Sequence, residues 1–402
     1  ITSSSRPSLR ILFLAPQPFF EVRGTPLAVL AMVRALSELG HTVDLLTYPR
    51  GADVPVPGVR PLRSLSLPVG RVRPGPSFAK LALDVPFMLE AWARMALGRY
   101  DVVHAVEEAA HLAAPVARLL GLPLVMDVDS SIPDQLRYSG FATKGPLLWA
   151  AERLEQSALA SARTVVTVCT SLTDGVRRRA PAADVFQIED PPLVDAAAPP
   201  PSAGDVATLR TALGIGRGPV VLYSGNFEPY QGVPLLADAA ALLPELWFVF
   251  MGGDAGAVAA VSARLAAARA GTRCVFTGTR PPSELPAFLA LADVLVSPRI
   301  RGENTPFKVY SYMASGKPLV ATRIATHTQL LDDSLAILVE PDAEAIAAGI
   351  RLALTDPSAR KRAQKARELL EREYSPQRFR EKVARAYAGI APRQRRSARS
   401  LR

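Results

Sequence analysis

The feature that most constrains this chain is an alternation that occurs twice. Short apolar runs suited to buried strands are each followed by a segment with apolar residues at helical spacing, and the series restarts after a Pro- and Ala-rich interruption. In the first half, Leu9 to Ala15 is such a run, Thr25 to Leu39 has the helical period, and Gly40 ends it. HTVDLLTY, DVVHAV, LPLVMDVD, RTVVTV and DVFQIED then read as strands, with helices over 77–97, 109–120 and 147–161. Strands separated by helices of this length imply a mostly parallel sheet covered on both faces.

The segment DPPLVDAAAPPPSAGD has no periodicity and reads as a linker. After it GPVVLYSG, LWFVFMG, RCVFTG and DVLVSP are strands, with helices over 233–243, 255–270 and 283–292. KVYSYMASGKPLVAT is a helix stopped by Gly316 before a further strand, 336–339 is a short strand, and helices continue to about Ala388. At 402 residues, two domains of ordinary size fit better than one. The expected architecture is α/β with two doubly wound domains, residues 1–195 and 196–375, followed by a helix and an Arg-rich basic tail over 376–402.

Composition narrows the function classes. No window holds the roughly 18 consecutive apolar residues of a spanning helix, so neither a membrane span nor a signal peptide is expected. Cys169 and Cys274 lie in apolar runs, where cysteine acts as a small hydrophobe, and a reducing cytoplasm fits. His41, His104, His111 and His327 show no zinc spacing with them, so no metal is expected. The formal charge of +10 suggests polyanionic neighbours. Aromatics are only 6% and no nucleic-acid-binding signature is present, so no nucleic acid is expected. A nicotinamide enzyme would show a glycine fingerprint after its first strand, and APQPFFEVRG does not comply.

Ligands of open parallel sheets bind beyond the carboxyl ends of the strands, so the loops there are the candidate site. GNFEPYQG, residues 225–232, leaves a strand and enters a helix; Gly225 permits close backbone approach, though an ordinary βα turn is also compatible. Gly252 and Gly253 follow the next strand. In SPRIRGENTPFKVYSYMASGKPLVAT, residues 297–322, Arg299, Arg301 and Glu303 precede a helix begun by Thr305 and Pro306. Lys308 falls in that helix's first turn, where a cation is unfavourable unless an anion offsets it; either a ligand or Glu303 would serve.

This stretch resembles the donor-site signature of family 4 glycosyltransferases, the group 1 enzymes of GT-B fold. Their Glu-x7-Glu precedes an Ala-Met-Ala-x-Gly-x-Pro-Val-Val-Ala-type run; Glu303 matches the first Glu and YMASGKPLVAT the run, while Ser311 stands at the second Glu. GNFEPYQG is similar to the family's Gly-Arg-x-x-x-x-Lys-Gly segment, with Asn226 and Gln231 in place of the two cations. Arg299, Arg301 or Lys308 would then supply the charge. FTGTRPPSELPAFLALADVLVSP extends the likeness and brings Arg280 to the donor side.

The resemblance implies two Rossmann-like domains facing a cleft, acceptor-binding first and nucleotide-sugar-binding second, with the last helix crossing back to the first domain. It implies a retaining transfer without cofactor or metal, UDP ahead of GDP as donor nucleotide. It assigns Glu303, Lys308 and Glu107 to catalysis. Gly225, Asn226, Gln231, Gly252, Gly253, Arg280, Arg299, Arg301, Asn304, Thr305, Pro306, Phe307 and Ser311 go to the donor. Gly24 and Thr25 match the family's amino-terminal glycine loop on the acceptor side, and Val106 stands where the family has an active-site His. His104 reads as a strand histidine satisfied in the core. Asp127 or Asp129 points to the ligand side by strand alternation, with a capped turn through Asp129 the other reading.

Arg-bearing RPLRSLSLPVGRVRPGPSFAK, the run Arg177 to Arg179 and the apolar helix 81–97 suggest an anionic membrane surface and a lipid or lipid-linked acceptor. A cytoplasmic enzyme on the inner face of a membrane, monomer or dimer, is the expectation. Because Ser311, Asn226, Gln231 and Val106 depart from the family pattern, a catalytically silent nucleotide-sugar-binding protein is the rival.

Overall fold

In the first half the six apolar runs become strands of a seven-stranded parallel sheet, whose remaining strand is not an apolar run. The structure, a computed structural model, describes residues 7–21, 24–68, 78–138, 143–268 and 273–393. The run through Arg71 and Arg73 and the tail beyond Arg393 lie outside them. Contacts divide the chain into two units. One is chiefly Thr25–Glu189, with the stretch up to Glu21 and the chain from Phe379; the other is Asp190–Arg378, with a short piece ending at Gly24.

The first half runs β1 (Arg10–Ala15), α1 (Gly24–Glu38), β2 (Thr42–Thr47), β3 (Val59–Arg63), α2 (Phe78–Leu97) and β4 (Val102–Val106). It continues α3 (Glu108–Leu119), β5 (Leu124–Val128), α4 (Ile132–Tyr138), α5 (Pro146–Ser161), β6 (Thr164–Thr167), α6 (Thr170–Arg179) and β7 (Val185–Gln187). The sheet order is β3-β2-β1-β4-β5-β6-β7, with every pairing parallel. β4, β5 and β6 are buried at every residue, which is why they read as unbroken apolar runs. One face of the sheet is covered by side chains of α2 and α3, the other by α1 and by the chain's last helix.

The second unit runs α7 (Ala203–Ala212), β8 (Val220–Ser224), α8 (Val233–Ala241), β9 (Trp247–Met251), α9 (Ala255–Ala267), β10 (Cys274–Gly278) and α10 (Leu285–Leu291). Then come β11 (Val294–Ser297), α11 (Phe307–Ser315), β12 (Leu319–Thr322), α12 (Ala325–Thr328), β13 (Ile337–Val339), α13 (Ala343–Thr355) and α14 (Pro357–Glu373). Its sheet is parallel throughout, in the order β10-β9-β8-β11-β12-β13. α15 (Pro376–Ala386) closes the chain, and Phe379, Val383, Tyr387 and Ile390 share a core with Phe13 and Val33. From Phe379 on, this helix belongs to the first unit, as the resemblance implies.

Some elements escape the periodicity argument for physical reasons. α7 starts inside the segment read as a linker: a capping box between Ser202 and Asp205 nucleates it, and none of its residues is buried. β3 carries Pro61 and two arginines, tolerable because it is an edge strand. Its Arg60 pairs with Asp44. Its Arg63 is held by Thr47 Oγ1 at 3.0 Å, by the carbonyls of Phe19, Arg50 and Ala52, and by Asp53. Both arginines thus make contacts within their own unit, and Arg60 does so while its side chain stays exposed.

Candidate functional site

In each sheet the strand order reverses once at the centre, between β1 and β4 and between β8 and β11. Such switch points open a crevice at the carboxyl ends of the strands. In the second unit the loops after β8 and β11 flank it, and both are candidate loops from the sequence.

After β8, Gly225 adopts φ +140°, and its N–H donates to Met251 O at 2.9 Å. A Cβ built on Gly225 would lie 2.8 Å from Lys308 Nζ, and one on Gly252 would lie 2.0 Å from Gly225 O. These glycines let two loops and a lysine amine meet where any side chain would separate them. The Tyr223 hydroxyl donates to Asn226 O at 2.6 Å, and the Asn226 side chain accepts from Glu228 N.

Lys308 lies in the first turn of α11 and is buried. Its ammonium donates to Gln231 Oε1 at 3.0 Å and sits 3.8 Å from the centre of the Tyr223 ring. The pairing with Glu303 left open by the sequence is not made, and among the described residues no carboxylate partners the amine. Burial, and then the nearby Arg299 guanidinium, hold the amine's pKa well below that of an ordinary lysine. An ammonium has three protons to donate, and among the described residues one is taken by a hydrogen bond.

Arg299 is engaged with its own loop. Its guanidinium donates to Arg301 O, Asn304 O and Asn304 Oδ1 at 2.9 to 3.0 Å and stacks over Tyr230. It shapes the 299–304 loop from inside. Arg301 is exposed on the same loop, Thr305 and Pro306 are buried, and Phe307 is half-buried. Glu303 is placed through its carbonyl, which accepts from Gln329 Nε2 at 3.0 Å.

A buried histidine supports this loop. His327 Nδ1–H donates to Thr322 O, Ser297 Oγ donates to His327 Nε2 at 2.8 Å, and Thr322 Oγ1 donates to Arg299 O. Burial pushes His327 down to about 4, so it stays neutral and can hold both roles at once.

Other sequence candidates stand apart. Ser311 is fully buried and its Oγ accepts from Leu193 N at 2.9 Å, so it anchors the chain entering the second unit. Arg280 faces Glu284 at 3.8 Å beyond β10, and Gly253 abuts the Phe227 ring. Tyr223, Tyr230, Tyr312 and His327 are site-shaping residues that sequence reasoning missed. Tyr223 lies inside an apolar strand, while Tyr230 and His327 fall in short turn and helix segments, so none carries a spacing signal; Tyr312 OH, for example, accepts from Ser224 N at 2.7 Å across 88 residues.

In the first unit, Glu107 follows β4 with φ +49°, the only non-glycine residue with positive φ among those described. Its N–H donates to Asp127 O, and its carboxylate accepts from Ser130 Oγ at 2.7 Å. Glu108 beside it pairs with Lys80 at 2.6 Å, and burial raises Glu108 to about 7. Asp129 is buried just past β5, while Gly24 and Thr25 begin α1. His104 is indeed satisfied in the core, between Tyr387 and Asp127.

Comparison with known proteins fits this geometry. Residues 205–369 match the family described as glycosyl transferases group 1, and residues 23–189 match the glycosyl transferase 4-like domain. The chain belongs to the group 1 glycosyltransferases. This family transfers sugars from nucleotide sugars, and two Rossmann-like units, each with a parallel sheet, make up its GT-B fold.

Among similar curated proteins are sulfoquinovosyl transferase SQD2 of Arabidopsis thaliana, 25% identical over 80% of this chain, and 2-deoxystreptamine glucosyltransferase of Streptomyces kanamyceticus, 28% identical over 73%. The chain spans 61% of the first and 79% of the second. Sucrose-phosphate synthase from Thermosynechococcus elongatus superposes with a TM-score of 0.77 at 21% identity, covering 94% of this chain and 98% of that one. Anabaena Alr3699/HepE, solved with UDP and glucose, gives 0.76 at 18% identity, covering 95% and 100%. Against the group 1 pattern, Gln231 replaces a lysine, and the Lys308 amine reaches that side chain from a different helix.

Proposed function

We propose that this group 1 glycosyltransferase moves a sugar, with retention, from a nucleoside diphosphate sugar to a hydroxyl of a lipid or lipid-linked envelope glycan. The observation that carries the donor half is the buried Lys308 ammonium, without a carboxylate, at the switch point of the second sheet. An uncompensated buried cation is costly, and an anion placed there removes the cost. The diphosphate of a sugar nucleotide is such an anion. The Anabaena neighbour solved with UDP-glucose supports UDP as the first nucleotide, with GDP second.

Transfer with retention asks the protein to stabilise charge on the departing diphosphate and to orient the acceptor. Lys308 and the uncapped amino end of α11 supply positive potential, and Gly225 and Gly252 admit the phosphates close to the backbone. Glu303, Asn304 and Thr305 are proposed to hold the sugar, with Arg301 at the loop surface. Glu107, Asp129, Gly24 and Thr25 are assigned to the acceptor side.

The acceptor half rests on α2. Residues 81, 85, 89, 93 and 97 are Leu, Val, Leu, Ala and Leu, all exposed, with Leu97 at 86%. Each step of four residues turns by only about 40°, so successive members are neighbours in a strip without a charge that winds slowly around the helix. Such a row suits an acyl chain or the interfacial layer of a bilayer. Among the described residues no helix is long and apolar enough to cross a membrane, so the association proposed is peripheral, on the cytoplasmic face.

The test is thermal stabilisation by UDP, GDP, ADP and TDP. A ligand at 100 times its Kd stabilises by about 2.7 kcal/mol. Stabilisation by UDP that vanishes in Lys308→Ala supports the donor half; equal stabilisation of both proteins overturns it.

A further inference from the structure

Asp127 ends a buried hydrogen-bonded chain with one oxygen left over. Tyr387, just past the end of α15, brings its hydroxyl 2.6 Å from His104 Nδ1. His104 is fully buried in β4, stacks on Phe13 at 4.2 Å, and places Nε2 3.2 Å from Asp127 Oδ2. With the Asp127 carboxylate as acceptor, His104 donates from Nε2–H and its Nδ1 accepts from the Tyr387 hydroxyl. The rotamer of Asp127 is thereby fixed by residues 23 and, through the histidine, 260 positions away in sequence.

The other oxygen, Oδ1, is buried and has no hydrogen-bond partner, on a side chain 7% exposed. A buried acceptor left unmade is costly, more so when charged. The place is telling. Asp127 sits at the carboxyl end of β5 beside β4, level with Val106, whose aliphatic side chain offers no donor. The next residue, Glu107, is held by the Asp127 carbonyl in its positive-φ turn. This is the ligand-facing end of the sheet, next to its switch point.

We propose that Asp127 Oδ1 accepts a hydrogen bond from a hydroxyl of the sugar acceptor, and that His104 and Tyr387 are positioning residues that aim it. The assignment rests on the glycosyl-transfer reading above for its purpose, though not for its geometry. A hydroxyl donor at Oδ1 completes the only unmade bond of the carboxylate, and the chain from Tyr387 ties the aim of that carboxylate to the docking of the last helix.

The experiment uses the full chain, UDP-glucose as donor and octyl β-D-glucoside as hydroxyl probe, with Asp127→Asn, Tyr387→Phe and wild type. Nucleotide affinity comes from calorimetry, folding from thermal melts, and the His104 ring state from nitrogen NMR of histidine-labelled protein. Asp127→Asn should keep UDP affinity within about twofold while transfer falls about 10-fold or more. Tyr387→Phe should move His104 toward the other tautomer and lower transfer by a smaller factor, with the KM for UDP-glucose unchanged. In wild type the glucoside should shift the His104 Nε2 resonance, and in Asp127→Asn it should not. A glucoside shift that survives Asp127→Asn, or no shift in wild type, overturns the proposal. Wild type that binds no UDP points instead to failure of the glycosyl-transfer reading, and the NMR comparison still decides the role of Asp127.

Discussion

The ammonium of Lys308 rests 3.8 Å from the centre of the Tyr223 ring, so the strand β8 and the helix α11 meet through a buried cation and an aromatic face. Cation–π contact and one hydrogen bond to Gln231 do not replace full hydration of an ammonium. Lys308→Met keeps the aliphatic stem and discards the charge. It should raise the stability of the nucleotide-free protein by about 1 kcal/mol, or roughly 2–4 °C in Tm, while weakening UDP about 10-fold or more. Paired melts and calorimetry check this; a variant both less stable and unchanged in affinity would show that the lysine is a packing element.

The same environment predicts proton uptake on donor binding. Burial and Arg299 hold Lys308 below the ordinary lysine value, and an arriving diphosphate favours the charged amine. Arg299 and Tyr223 face it closely, and His327 lies near enough to be affected electrostatically. UDP should therefore bind more tightly as pH falls toward the free-site value. Calorimetry in buffers of different ionisation enthalpy should report protons taken up by wild type and fewer by Lys308→Met. For stability the sign is reversed: the unfolded chain binds this proton more readily, so the lysine's contribution improves as pH rises toward 10.5.

Gly252 and Gly24 give a matched pair. A Cβ at Gly252 meets Gly225 O at 2.0 Å with φ at +121°, whereas one at Gly24 has nothing within 4 Å. Gly252→Ala should cost more than about 2 kcal/mol, from the clash and the left-handed backbone together. Gly24→Ala should leave the melt unchanged. Thermal denaturation of the two variants against wild type is sufficient.

Acid should loosen the fold through two buried histidines. His111 and His327 are both lowered by burial from 6.5 to about 4. The unfolded chain takes up these protons first, so stability is lost as pH drops from about 6.5 toward 4. His327→Gln keeps a donor and an acceptor near Ser297 and Thr322 and should flatten part of that slope in urea titrations at stepped pH.

The alternation of strands and helices was legible because parallel strands buried on both faces leave continuous apolar runs, as in VVHAV and VVLYS. Lys308 was legible too: a cation in a helix's first turn contradicts the dipole and asks for a reason. Its partners were not, since Gln231 is 77 residues away and Tyr223 lies inside a strand. Likewise Ser311 looked like a weakened donor residue, whereas its hydroxyl holds Leu193 from 118 residues earlier. The chain from Tyr387 to His104 spans 283 positions, and no local pattern encodes it. Local periodicity dictates elements; the site is made of contacts between elements, which follow only from the fold.

Membrane association through α2 is the last prediction, with the basic segment as its rival. Arg60 pairs with Asp44 while staying exposed, and Arg63 is held by Asp53 and by carbonyl groups of its own unit. Leu81, Val85 and Leu89 are exposed at 56%, 62% and 58%. Burying such side chains is worth about 1.5–3 kcal/mol each at most, so three of them outweigh what a few screened charges add at physiological salt. Vesicle binding should therefore fall about 10-fold or more in Leu81→Ser, Val85→Ser, Leu89→Ser, and only modestly in Arg60→Ser. Part of the binding should persist at high salt, since apolar contact is not screened as charge is. Binding lost entirely at high salt, or kept by the triple variant, would return the membrane role to the basic segments and leave the α2 row as surface for a soluble acceptor.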